Sequence, residues 1–135
     1  MRNIKNTLYQ TQSLELDRQL ASGLKELGLI KNDAELSRLF GKNPSYIGCM
    51  RHKGFGIPVG TLAATTIMQS LHLRNSLGTP EEMERWQKGL LLLKHILDAK
   101  CQLQRLMLQF SDWSAQRERN NSSLNTSTDQ NHESR

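Results

Sequence analysis

The chain is short of several things that would narrow its chemistry. It has two cysteines in 135 residues, Cys49 and Cys101, far apart in sequence, so it builds no disulfide framework. Its longest unbroken leucine block, Leu90–Leu93, falls well short of the roughly 20 apolar residues of a membrane span. The N-terminus lacks the apolar run of a signal peptide, which gives a cytoplasmic expectation. No Asn-Gly or Asp-Gly turn joins two alternating apolar runs, which removes the sequence mark of a β-hairpin. Aromatic residues are 5% of the chain, too few to suggest the stacking platforms of single-strand RNA readers. The remaining absence concerns charge. Between Glu35 and Glu81 there is no Asp or Glu, while Arg38, Lys42, Arg51, Lys53 and Arg74 all lie in that window.

The net charge is +5, and its excess sits in the first two-thirds of the chain. From Glu81 onward, eight basic residues face eight acidic ones. A local surplus of positive charge points to a polyanionic partner more directly than the total does.

Apolar spacing reads as helical throughout. Leu16, Leu20, Leu24 and Leu27 predict a helix over 14–27, preceded by a flexible arm over 1–13 and closed by Gly28. A short helix over 33–40 has Asn32 or Asp33 as its cap, Leu36, Leu39 and Phe40 as its apolar face, and Gly41 as its end. A third helix over 44–52 starts at Pro44, with Tyr46 or Ile47 and Met50 turned inward. A fourth, over 59–73, is expected to pack through Leu62, Ile67 and Leu71. Thr79-Pro80-Glu81-Glu82 is a strong helix start, and the helix is expected to run over 79–119. Residues 120–135 are Asn-, Ser- and Thr-rich and are expected to be disordered. Their Asn-x-Ser/Thr triplets at Asn120, Asn121 and Asn125 read as polar low-complexity sequence.

Two short helices joined by a glycine-containing turn, the second ending in basic residues, make a helix-turn-helix pattern over residues 33–53. Leu36 and Phe40 face Ile47 and Met50, and Ser37 is small where the helices must approach. The stretch "LSRLFGKNPSYIGCM" resembles the "L-A-x-x-L-G-x-s-x-s-x-I" run of lambda-repressor-like (Cro/Xre-type) regulators, and "PVGTLAATTI" their following helix. "LFGKNPSYIGCMRHKG" is similar, more closely, to a set of small uncharacterised proteobacterial helix-turn-helix proteins. The resemblance covers about 40 residues and implies a four-helix DNA-binding domain over 14–76. Such regulators commonly open both helices with Gln, where Asp33 or Ala34 and Pro44 stand here.

In that arrangement the third helix enters the major groove. Ser45, Tyr46, Cys49 and His52 are the base-proximal candidates, and Arg38, Lys42, Arg51 and Lys53 the phosphate contacts. The backbone N–H groups at the helix start, around Ser45, offer a further phosphate site. Gly48 carries no side chain, and no Arg, Asn or Gln lies between Pro44 and Met50, so specific readout is poor. Cys49-x-x-His52 is half of a metal-site spacing, but His72, His95 and Cys101 are too scattered to complete it. No carboxylate is near to orient a Cys–His nucleophile, and no glycine-rich phosphate loop is present.

The long helix carries Trp86, Leu90, Leu93, Leu97, Leu103, Met107 and Phe110 as a candidate dimerisation stripe, with Lys100 interrupting one seam position. Folding back along the core is the competing use of that stripe. The expectation is an all-α bacterial transcriptional regulator of weak specificity that binds double-stranded DNA as a homodimer in the cytoplasm. It needs no metal, cofactor or small-molecule substrate and catalyses nothing. The competing expectation is a protein-interaction adaptor that keeps the helix-turn-helix only as a scaffold.

Overall fold

The computed structural model describes the backbone over residues 4–75 and 78–133, and side chains over 8–75 and 78–121. All regular structure among them is helical: α1 (Ile4–Glu26), α2 (Asp33–Leu39), α3 (Tyr46–Lys53), α4 (Val59–Asn75) and α5 (Pro80–Glu133). No helix among the described residues is long and apolar enough to cross a membrane.

The helix starts follow local chemistry. Asn32 caps α2 by accepting from the Glu35 N–H at 3.0 Å, and the Glu35 carboxylate accepts from the Lys31 N–H at 2.8 Å. Thr79 caps α5 through the Glu82 N–H at 3.2 Å, as its sequence implies.

Three expected boundaries move. α1 begins at Ile4, so most of the expected flexible arm over 1–13 is helix. Its inner face continues N-terminally from Leu20 through Asp17 to Ser13, both polar yet buried, which hides it from an apolar-periodicity reading. α3 begins at Tyr46, and Pro44 lies in the preceding turn. α5 runs to Glu133, past the expected end near 119 and through most of the segment expected to be disordered. No Gly or Pro falls between Leu90 and Glu133 to interrupt it.

The core is built where α1, α2, α4 and the first part of α5 meet. Leu20, Leu24, Leu36, Leu62, Leu93 and Ile96 are fully buried, each stabilising the fold by about 1.5–3 kcal/mol relative to exposure. Helix α4 turns Leu62, Thr65 and Thr66 inward. At about 100° per residue, Ile67 and Leu71 then fall on the far side, exposed, against expectation. The Thr66 hydroxyl makes burial affordable by donating to the Leu62 carbonyl at 2.7 Å.

Helices α1 and α5 run antiparallel. A Cβ on Gly23 would overlap Leu92, and one on Gly89 would overlap Leu29, so both glycines mark close approach. This pairing takes Leu93 and Ile96 into the protomer's own core and leaves Leu97 packed against it. Of the expected dimerisation stripe, Leu93 is therefore sealed inside, and Trp86 and Leu90 are half-buried.

Lys100, the interruption of that stripe, is fully buried and ion-paired with Asp17 of α1. The Asp17 carboxylate also accepts from the Ile57 N–H at 2.8 Å, and the Lys100 ammonium donates to the Ile57 carbonyl at 2.7 Å. Burial opposes charge on both: it raises the Asp17 carboxyl above its ordinary value and lowers the Lys100 ammonium below its own. Mutual attraction and the two Ile57 bonds work against that cost.

Removing one partner strands the other. Lys100→Met is expected to destabilise the fold by about 3–5 kcal/mol in urea denaturation at neutral pH. The variant keeps a buried Asp17 whose folded-state carboxyl is raised further. A raised folded value makes its contribution greatest below the unfolded value and lost as pH rises through the folded one. Lys100→Met is therefore expected to be closer to wild type at pH 5 than at pH 8; equal deficits at both would show that Asp17 is not stranded.

Candidate nucleic-acid interface

Helices α2 and α3 are joined by a turn whose geometry is set by small polar groups. Gly41 takes φ +70°, and the Lys42 N–H reaches back to the Ser37 carbonyl at 3.0 Å, closing α2. Only glycine adopts that left-handed conformation without strain. Asn43 then organises the start of α3. Its side-chain oxygen accepts from the Ser45 N–H at 3.0 Å and from the Ser45 hydroxyl at 2.9 Å, and its carbonyl accepts from the Tyr46 N–H at 2.9 Å.

Ser37 links the two helices. Its hydroxyl donates to the Asp33 carbonyl at 2.9 Å and accepts from the Ile47 N–H at 3.1 Å. The sequence marked Ser37 only as small; its oxygen satisfies a buried donor at the first turn of α3. A second link is ionic. The Arg51 guanidinium pairs with the Asp33 carboxylate across the two helices, both side chains remaining partly exposed.

These links change the expected assignments. The N–H groups of Ser45, Tyr46 and Ile47 already have partners within the chain, so the start of α3 is not an open phosphate cradle. Arg51, expected on a phosphate, has its charge matched by Asp33. Tyr46, expected either at the core edge or near base edges, packs against the core, with the Lys42 ammonium 5.7 Å from its ring centre. Arg38, also expected on a phosphate, lines a groove of about 850 Å³ between α2, α4 and the start of α5, where Leu39, Met68, Gln69, His72 and Trp86 also lie.

What the structure does bring together is the outer face of α3. Ser45, Gly48, Cys49 and His52 fall one helical turn apart and are all exposed. With Pro44, Asp33 and Lys53 they line a shallow depression of about 380 Å³. Gly48 has no atom within 4 Å of where a Cβ would stand. Gly54, at φ +75°, ends α3 and leaves Lys53 exposed in its last turn, where cations suit the helix dipole. Among the described residues, no three His, Cys, Asp or Glu side chains are grouped as a metal ion would need.

No family model, characterised protein or solved structure matches the chain.

Two substitutions separate the framework of this site from its surface. Ser37→Ala leaves the Ile47 N–H buried without a partner and is expected to cost about 1–3 kcal/mol in urea denaturation. Gly48→Ala puts a methyl into open space on a helix and is expected to gain up to about 1 kcal/mol. A destabilising Gly48→Ala would mean that the outer face of α3 is covered in solution.

Proposed function

We propose that this chain is a cytoplasmic DNA-binding protein, a lambda-repressor-like regulator that lays the outer face of α3 against duplex DNA. The observation that carries the reading is the exposed surface around Gly48, where Ser45, Cys49 and His52 share one face and Asp33 is the one acid at its edge. The α2–α3 pair supports it, held rigid by Ser37 and by the Arg51–Asp33 link. Lys42 and Lys53 supply the phosphate contacts, since both are exposed and neither pairs with an acid among the described residues. With no long hydrogen-bonding side chain on the face, affinity comes from the backbone of the duplex, and preference among sequences from shape. The absent Cβ of Gly48 lets the helix sit deep in a groove.

An adaptor that binds another protein is the second reading. Ile67, Met68 and Leu71 favour it, because they expose an apolar face of α4 beside the α2–α4–α5 groove. The two readings part on salt and on α3.

Fluorescence anisotropy with a labelled duplex, repeated over a range of salt, tests the DNA reading. Wild type is expected to bind at low salt with affinity falling as salt rises. Lys53→Glu is expected to flatten the log–log slope by about 1. Gly48→Glu is expected to abolish binding with the fold intact by circular dichroism. Arg51→Glu is a poorer probe, because it also breaks the link to Asp33. Absence of binding at low salt, or equal slopes for wild type and both variants, overturns the proposal.

A further inference from the structure

Helix α5 outlasts everything packed beside it. At about 1.5 Å per residue its 54 residues extend roughly 80 Å, against about 35 Å for the 23 residues of α1. The antiparallel pairing sets Gly23 beside Leu92 and Asp17 beside Lys100, so each step back along α1 matches one step forward along α5. On that register α1 ends, at Ile4, near position 113 of α5.

Over this distal stretch α5 shows two faces. Leu103, Met107, Ser111 and Ser114 are half-buried, on the side continuous with the α1 contact. Next to them, Leu106, Phe110 and Trp113 are 62%, 46% and 55% exposed. Phe110 and Trp113 hold their rings 5.8 Å apart, and the Arg117 guanidinium lies over the Trp113 ring. Leu103, Leu106, Phe110 and Trp113 follow steps of three, four and three. That is the period of a seam against one other helix, narrower than the wide apolar face of a membrane-surface helix.

Among the described residues, none covers this seam. The flanks say what can. With Leu103 and Phe110 at the first seam position of the heptad, the preceding flank is Gln102, Gln109 and Gln116, and the other is Met107 and Ser114. Neither flank carries charge. Charged flanks are what usually sets partner choice and drives identical helices apart, so this seam accepts its own copy in register.

We infer that the distal seam of α5 is the dimer interface, with Leu106, Phe110 and Trp113 of one copy packed on the same residues of a second. The two α1–α5 pairs then form a four-helix bundle beyond the α2–α4 body. The interface lies further along α5 than the stripe around Leu90–Leu97, which the protomer uses for itself. It holds whether or not α3 binds DNA.

Light scattering on the full-length chain, coupled to size exclusion, is expected to give twice the 15.4 kDa chain mass. Phe110→Glu/Trp113→Glu is expected to give the single-chain mass with helical circular dichroism retained. Leu91→Glu, at a 65% exposed position outside the seam, is expected to stay dimeric. In a Trp86→Phe background the emission of Trp113 is expected to shift to the red on dilution. A single-chain mass for wild type, or an unchanged dimer in the double variant, overturns the inference.

Discussion

The buried contact among Asp17, Lys100 and Ile57 is the constraint on which the rest of this structure depends. It joins three parts of the chain at one point: α1, the middle of α5, and the loop between α3 and α4. A buried ion pair is not a cheap way to stabilise a fold, since both groups give up hydration to form it. Here the pair is combined with both backbone groups of Ile57, leaving that loop one low-energy position. Gly56 lies so close to Ser13 and Asp17 that any side chain there would overlap Ser13. The same contact fixes the antiparallel register of α1 and α5, because a shift of one residue would bury each charge without its partner.

The α2–α3 unit is assembled by a similar logic on a smaller scale. Ser37, Asn43 and Asp33 each spend their polar atoms on positioning α3, through Ile47, Ser45 and Arg51 respectively. Groups spent this way are not available to a ligand, and that is why the free surface of α3 is narrow. It consists of the Ser45–Gly48–Cys49–His52 face and the lysines at either side. Rigidity and free polar surface compete for the same short segment, and Ser37, Asn43, Asp33 and Arg51 all serve rigidity.

Much of the architecture was legible in the sequence. Asn32, Thr79, Gly41 and Gly54 mark their helix ends correctly because capping and left-handed turns depend on neighbours a few residues away. Leu20, Leu24, Leu36 and Ile47 lie in the core, where their spacing put them. The reading was weaker where a polar residue occupies an inner face. Ser13, Asp17, Thr65 and Thr66 are buried, whereas Ile67 and Leu71 of the same chain are not. Hydrophobic periodicity cannot report a carboxylate held by a lysine 83 positions away. Lys100 on an apolar stripe was the one visible sign of that pair.

By itself the sequence determined an all-helical chain, the turns that break it, and a basic, acid-free segment around the third helix. These follow from backbone preferences and local hydrogen bonds, which act over a few residues. The tertiary structure alone decided which charges are free and which leucines face outward. Arg51 and Lys53 look alike in sequence, yet only Arg51 has an acid opposite it, because α2 brings Asp33 across 18 positions. Leu93 and Phe110 likewise read as one stripe, but α1 covers the first and leaves the second exposed. Burial and pairing depend on what packs opposite a residue, and the chain supplies that only after it has folded.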